Sequence, residues 1–510
     1  MLASSGSPLL EKTFTFVNFY ILLKPQYCEE AQSLGTAEMS ISKGVLKEIL
    51  DAEKLKYCFE CGICTASCSM AEMLGKSYNP RQLLESMVLN PEKALSSDEF
   101  WLCAWCYRCY KRCPQALRIP EIFLQMRKTA IKLGLTQPFE NALQKIVEEI
   151  PLPLVTLSVC FHPERAGLDK KKVLDKAEKL REKSVQSKKH NVESRGHKIA
   201  VLGSGPAGLT VAYELSRKGY AVTVFEALPE LGGMLRKCIP ESRLSRQVLA
   251  KEVRFIKGLG VDIRSGVTIG KDLSFADLQK EGYKAIFVGV GAHKSQRLSI
   301  EGADLKGVVY ALDFLWSANR GEAVEIGKNV VVIGGGNVAV DAARVAKALG
   351  ASEVTILYRR SRDEMPAIPW EVREAEGEGV KIEFLVSPKK IVGENGKVVA
   401  IECIRMELGE SDESGRRRAT PIEGSEFTRK TDMVVLAIGE APDLGFLPKD
   451  IELSNDGTLW VNPFTMETSV IGVFGGGDAV TGPATVIEAI RAGKQAAESI
   501  EKHLESLGGS

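Results

Sequence analysis

Residues 198–227 read KIAVLGSGPAGLTVAYELSRKGYAVTVFEA. An apolar run leads into a glycine turn, a helix-length stretch follows, and a second apolar run ends in an acid. That order predicts strand, helix, strand, the opening unit of a doubly wound sheet. Gly203, Gly205 and Gly208 fit G-x-G-x-x-G at the first junction, with Pro206 and Ala207 opening the helix. Such glycines permit a tight turn and let a pyrophosphate approach the helix N-terminus, where free N–H groups and the dipole favour anions. Glu226 closes the second strand, where an acid can accept hydrogen bonds from an adenosine ribose.

The unit recurs at 328–360, KNVVVIGGGNVAVDAARVAKALGASEVTILYRR. Here Gly334, Gly336 and Ala339 fit G-x-G-x-x-A around Asn337 and Val338. The second strand ends in Arg359 and Arg360 instead of an acid. Arginines there can pair with a 2′-phosphate, so NADPH is expected in preference to NADH. The first loop is expected to hold FAD. Gly233 and Met234 follow it closely, and GVFGGGDAVTGPATVIEAI lies far downstream. It resembles the late Gly-Gly-Asp of flavoproteins with two dinucleotide-binding domains, a likeness that implies Gly477 and Asp478 beside the flavin's ribityl and phosphate groups. A helix beginning near Thr485 and Val486 would aim its N-terminus at the flavin ring. Two apolar segments, 285–292 and 434–443, the second containing Gly439, read as crossovers between the dinucleotide-binding domains. Asn395-Gly396 signals a hairpin. Residues 409–430 read as an exposed loop.

Eight of the twelve cysteines form two runs of C-x2-C-x2-C-x3-C: Cys58, Cys61, Cys64, Cys68 and Cys103, Cys106, Cys109, Cys113. Three thiolates at two-residue gaps can wrap one [4Fe–4S] cube, and the fourth comes from the other run. That groups Cys58, Cys61, Cys64 and Cys113 in one cluster, and Cys103, Cys106, Cys109 and Cys68 in the other. Four thiolates also suit zinc, but zinc sites usually use separated pairs. Cys28, Cys160, Cys238 and Cys403 stand alone and read as ordinary thiols.

The composition is that of an ordinary globular protein, 44% hydrophobic and 26% charged, with a net charge of +1. It gives no global reason to expect nucleic acid or an anionic membrane as partner. No apolar run reaches bilayer-spanning length, and Phe14 to Leu23 is too short. With no export signal the expected location is cytoplasmic, where clustered thiols bind metal and not each other. His162, His190, His197, His293 and His503 have no metal spacing and read as surface or structural. No acid–base catalytic residue stands out.

The first cysteine run, the following YNPRQL and the second run resemble the C-type iron–sulfur component of heterodisulfide reductases over roughly residues 45–135. About 196–505 resembles the small subunit of glutamate synthase, with matching domains in dihydropyrimidine dehydrogenase and in NADH-dependent ferredoxin:NADP oxidoreductase. GSGPAGL, GGGNVAVDAAR, YRRSRDEMPA and GGGDAVTGPATVIEAI carry that likeness. It implies that Arg243 helps hold FAD. It also marks a departure: Cys238 stands where the family has glycine, either as a packing change or as a reactive thiol.

The expected fold class is α/β: a helical two-[4Fe–4S] ferredoxin-like domain followed by two Rossmann-like dinucleotide-binding domains, FAD first and NADP inserted. The expected parts are a tail over 1–42 and a cluster domain over 43–150. A linker over 151–197 follows, then an FAD domain over 198–308 and 440–510, and an NAD(P) domain over 309–439. The expected activity is electron transfer from NAD(P)H through FAD and two clusters to or from a partner protein docking near the cluster domain. The alternatives are an electron-input subunit of a heterodisulfide reductase-type complex, a ferredoxin:NADP oxidoreductase, or a self-sufficient flavin reductase.

Overall fold

The computed structural model describes residues 58, 60–188, 194–411 and 415–508. The expected tail, Cys28 and His190 lie outside them. The described residues form two compact units. One combines the residues up to Cys68 with Asn79–Trp101 and Arg108–Asn141; the other combines Ser69–Tyr78, Leu102–Tyr107 and the chain from Ala142 onward. The boundary expected at 150 therefore does not follow the compact units, because short cysteine-run segments belong to the second.

The first unit is helical. Asn79 caps the helix Pro80–Leu89: its side chain accepts from the Gln82 N–H, and proline occupies the first turn, where no N–H is needed. The helix Ile119–Lys132 buries Phe123, Leu124, Met126 and Ala130. It also buries Arg127, whose guanidinium donates to the carbonyls of Phe100 (3.2 Å) and Trp101 (3.0 Å). Those bonds make burial of a cation tolerable.

The second unit contains two five-stranded parallel sheets. The first is ordered β16-β4-β1-β2-β3, from Val473–Gly475, Tyr283–Val288, Lys198–Leu202, Ala221–Glu226 and Asp262–Ser265. The second is ordered β6-β14-β7-β8-β9, from Val308–Tyr310, Met433–Leu436, Asn329–Ile333, Glu353–Tyr358 and Lys381–Phe384. Along the chain the second sheet lies between β4 and β16 of the first. Helices Pro206–Ser216 and Asn337–Ala348 follow the central strands β1 and β7. Both central strands are buried after their first residue, as expected of parallel strands covered on both faces. The two crossovers meet as an antiparallel ribbon, β5 (Lys294–Ser295) against β15 (Glu440–Ala441).

A hairpin, β10 (Val386–Glu394) and β11 (Lys397–Ser411), turns at Asn395 (φ 52°) and Gly396 (φ 75°). The stretch 409–430 is not simply a loop. Arg417–Pro421 and Phe427–Lys430 form strands that pair with β11. The polar composition reflects exposed faces and not missing structure.

The expected linker also reads differently. Pro153–Thr156 and a π-helical turn at Leu157–Phe161 are buried, Pro163–Ala166 buries Pro163 and Ala166, and a helix runs over Lys170–Lys188. The apolar sequence PLPLVTLSVCF is core. Glu252, 1% exposed, holds it: its carboxylate accepts from the N–H groups of Leu154 (2.6 Å) and Val155 (3.3 Å) and pairs with buried Arg181. The charged composition of the helix described only its outer face; Val173, Ala177 and Arg181 are buried.

Candidate functional site

A cavity of about 790 Å³ lies in the second unit, within the size range of cofactor sites. Gly203, Gly205, Pro206 and Ala207 of the first loop line it, with Glu226 at the end of β2. Gly233, Met234 and Arg243 form a second wall, and Gly477, Asp478, Thr485 and Val486 a third. Asn337 and Val338 reach it from the second glycine loop.

The first loop has the shape of a backbone cradle. A Cβ on Gly203 would lie 2.5 Å from the Gly289 carbonyl oxygen, and one on Gly208 would lie 2.0 Å from the Gly203 oxygen. Gly208 therefore serves helix–strand packing and does not line the cavity. Gly205 is different: a Cβ there would meet nothing within 4 Å, so this backbone faces open space. A Cβ on Gly233 would press on Gly205 itself, at 2.9 Å. Glu226 accepts from the N–H groups of Ser204 (2.9 Å) and Leu228 (2.9 Å) and from the Ser204 hydroxyl, tying the strand end to the loop.

The third wall is a helix start. Thr485 caps Val486–Ser506 in a capping box with Glu488, and the Asp478 carboxylate accepts from the Ala484 N–H at 3.2 Å. Burial, against the Ala484 hydrogen bond, raises Asp478 to about 6. Arg243 spans two walls. Its Nη1 lies 2.9 Å from both carboxylate oxygens of Asp341, and its Nη2 lies 3.7 Å from Glu371. Its buried Nε has no hydrogen-bond partner among the described residues.

The second loop packs in the same way. A Cβ on Gly334 would lie 2.1 Å from the Ala437 oxygen, one on Gly335 would meet the Tyr358 ring, and one on Gly336 would meet nothing. Ala339 is fully buried beneath the helix. Gly334, Gly336, Ala339 and Gly439 do not line the cavity. Gly439 belongs to the crossover ribbon, where its carbonyl accepts from the Gln296 N–H at 2.9 Å. Arg359 is exposed beyond β8, and Arg360 is buried with its Nε donating to the Arg417 carbonyl. The two arginines differ in exposure, because successive residues at a strand end face opposite ways.

Residues that the sequence did not single out for this site also line the cavity. Asp341 lies one helical turn beyond Asn337, the spacing that puts two side chains on one helix face. His293, Glu440 and Cys160 join it, and so does Cys238, which the sequence had already marked as a departure. Cys160 sits on the π-helical turn, a helix irregularity frequent at functional sites. Burial, with Cys106 nearby, pushes its thiol up to about 12. Cys238 is likewise pushed up by burial and by Asp341, which disfavours its thiolate.

The cysteine runs share a backbone device. Glu60 (φ 48°) and Gly62 (φ 76°) flank Cys61, and Trp105 (φ 51°) and Tyr107 (φ 59°) flank Cys106 in the same way. Left-handed backbone costs a non-glycine residue about 1–2 kcal/mol. Accepting that cost at matched positions curls each run around its thiols. Cys58, Cys61, Cys64 and Cys113 line one small cavity of the first unit, three thiols from one run and the last of the other. Cys68 and Cys109 belong to the first unit, and Cys103 and Cys106 to the second. Cys103 is buried. Cys106, with Ala104 and Trp105, lines the large cavity. Trp105 is held there: the Arg165 guanidinium lies 5.0 Å from its ring and 5.4 Å from that of Trp370, and bonds Glu371 at 2.8 Å.

These features fit the groups implied. Gly205 and Gly336 leave loop backbone open, Arg243 has an orphaned nitrogen, and four thiols surround one small cavity. Residues 197–493 match the family described as pyridine nucleotide-disulphide oxidoreductase, and residues 54–117 match the 4Fe–4S dicluster domain. The beta subunit of NADP(+)-dependent formate dehydrogenase from Moorella thermoacetica is 42% identical over 78% of this chain and 60% of its own length. The chain thus spans less than two thirds of that relative. The glutamate synthase [NADPH] small chain of Escherichia coli is 38% identical over 62% of this chain and 70% of its own length. Mycobacterium tuberculosis FprA in complex with NADPH shares the fold at a TM-score of 0.51 and 21% identity, over 61% of this chain and 85% of that one. Among the described residues no helix is long and apolar enough to cross a membrane. The protein is an oxidoreductase that takes FAD, a pyridine nucleotide and two [4Fe–4S] clusters. Its chain belongs to the pyridine nucleotide-disulphide oxidoreductase family, carried on one polypeptide with a 4Fe–4S dicluster domain.

Proposed function

We propose that this chain is the NADPH-reactive subunit of a larger assembly and exchanges electrons with a partner protein through its clusters. One observation carries this reading. A single cavity is lined by Gly205 of the first loop, by Asn337 and Val338 of the second, and by Cys106 of a cysteine run. When bound there, FAD takes a hydride and passes electrons on singly to iron–sulfur centres.

The residues divide the work. Gly205, with Pro206 and Ala207, offers the helix N-terminus to the FAD pyrophosphate, and Gly233 backs that loop. Glu226 orients the ribose. Arg243 lines that cavity with an Nε that has no hydrogen-bond partner among the described residues. Asp478 orients the ribityl chain, and the helix capped by Thr485 lends positive potential through Val486. The loop around Gly336 receives the NADPH pyrophosphate. Exposed Arg359 pairs with the 2′-phosphate, with Arg360 beside it anchored to the Arg417 carbonyl. Cys58, Cys61, Cys64 and Cys113 hold one cluster, and Cys68, Cys103, Cys106 and Cys109 the other. The likeness to a formate dehydrogenase beta subunit and a glutamate synthase small chain supports a partner that carries the substrate chemistry.

The test is an anaerobic titration of the purified chain, first with NADPH and then with NADH, followed in the visible spectrum. Bleaching of flavin and iron–sulfur absorbance at low NADPH, with NADH lagging, is expected. Arg359→Ala should erase about tenfold of that preference, a contact of about 1.4 kcal/mol. Cofactors present but unmoved by either nucleotide would overturn the assignment of the nicotinamide site.

A further inference from the structure

The cavity assigned to the flavin is lined by five carboxylates, Glu226, Asp341, Glu440, Asp443 and Asp478, against three cations, Lys237, Arg243 and Lys271. Most of these charges are accounted for. Glu226 is held by Ser204 and Leu228, Asp341 by Arg243, and Asp478 by the Ala484 N–H. Asp443 and Lys271 are exposed to solvent. Lys237 lies 3.9 Å from Asp313.

Glu440 is the exception. Its carboxylate has no hydrogen bond or ion pair among the described residues, yet it is partly buried. It sits on the crossover ribbon, opposite Ser295. Burial and the charge of Asp478 raise it to about 7. Burial and Asp341 disfavour a charge on its other neighbour, the Cys238 thiol. Burial and Lys237 disfavour a charge on His293. Glu488, beside Asp478, is committed to the Thr485 capping box. No cation pairs with Glu440 among the described residues, so a proton is the available way to neutralise it. Asp478 has an N–H donor that favours its charged form and Glu440 has none, so of this coupled pair Glu440 is the more readily protonated.

We propose that Glu440 is the proton-accepting group of the flavin cavity: its carboxylate takes up a proton when electrons arrive on the flavin and releases it when they leave. This rests on the flavin reading of the cavity. The balance is simple. A hydride carries two electrons and one proton from the reduced nicotinamide, which leaves oxidised, and it adds one negative charge to the cavity. A solvent proton joining the Glu440 carboxylate cancels that charge. When two electrons pass singly to the clusters, the hydride-derived proton and the Glu440 proton both return to solvent.

The test measures the flavin midpoint potential against pH in the holoprotein, wild type beside Glu440→Gln and Glu440→Asp. The slope reports protons bound per two electrons. Above about pH 7 the wild type should bind close to one more proton than Glu440→Gln, because its carboxylate is then ionised before reduction. Glu440→Asp should restore much of the difference. Flavin content and absorbance of each variant report whether the cavity is intact. Identical slopes in flavin-loaded wild type and Glu440→Gln would overturn the proposal. A wild type that binds no flavin would instead overturn the reading of the cavity. A Glu440→Gln variant that fails to load flavin shifts the decision to Glu440→Asp against wild type: a displaced pH window supports the proposal, and an unchanged one refutes it.

Discussion

Arg243 follows the first glycine loop and Asp341 lies on the helix of the second, and Nη1 of the arginine is 2.9 Å from both carboxylate oxygens of the aspartate. Their side chains are 17% and 6% exposed. This pair ties the nucleotide-loop helix to the wall of the flavin cavity. Removing one partner of a buried pair costs about 3–5 kcal/mol, because the other charge is stranded. Asp341→Asn should therefore lower the melting temperature and slow flavin reduction by NADPH. The double variant Arg243→Met/Asp341→Leu should recover stability but not the reduction rate. Recovery of both, in thermal melts and stopped-flow traces, would show the pair to be packing alone.

Glu371 couples this pair to Arg165 and Arg344. Burial raises its pKa, but Arg243 and Arg165 outweigh it and hold the carboxyl down to about 2. The folded value lies below the ordinary carboxylate value of 4.5. The stabilisation is therefore complete above that value and is lost as pH falls through the folded one. Glu371→Gln should reduce stability at pH 7 and flatten the acid limb of the melting curve. Melts across the acid range check this, and an unchanged wild-type-like acid limb would refute it.

The glycines of the first loop should separate by substitution. Gly208→Ala puts a methyl 2.0 Å from a carbonyl oxygen, and Gly205→Ala puts one into open space. We expect Gly208→Ala to lose both fold stability and flavin. Gly205→Ala should melt like the wild-type apoprotein yet bind FAD far more weakly, since the methyl occupies the pyrophosphate's approach. Flavin fluorescence on denaturation and apoprotein melts distinguish them. Equal flavin loading in Gly205→Ala would remove the cradle argument.

The two cysteine runs should also behave differently. Cys113 shares a cavity with Cys58, Cys61 and Cys64, and Cys106 lines the flavin cavity. Cys113→Ser should halve the iron and sulfide per chain while NADPH still reduces the flavin at its normal rate. Cys106→Ser should also cost iron, and should slow electron exit to a one-electron acceptor while leaving flavin reduction intact. Iron analysis with turnover assays checks both. Full iron content in Cys113→Ser would exclude the crossed ligand set.

Local order was legible in the residues. The strand, glycine turn and helix of each dinucleotide unit follow from β-branched runs, glycines at positions where a Cβ would strike backbone, and apolar periodicity. The hairpin at Asn395-Gly396 and the cap at Thr485 follow from turn and capping chemistry within a few residues. The cysteine spacing carried the iron–sulfur chemistry. Long-range choices were not legible, because periodicity says which face of an element is buried and not what lies against it. PLPLVTLSVCF read as linker until Glu252 supplied acceptors for its N–H groups. Arg359 and Arg360 looked alike until the strand end pointed one outward and buried the other. Asp341, Glu440 and Cys106 are distant in sequence, and only the closing of the second unit around one cavity brings them together, since their charge and burial there depend on neighbours that no local pattern names.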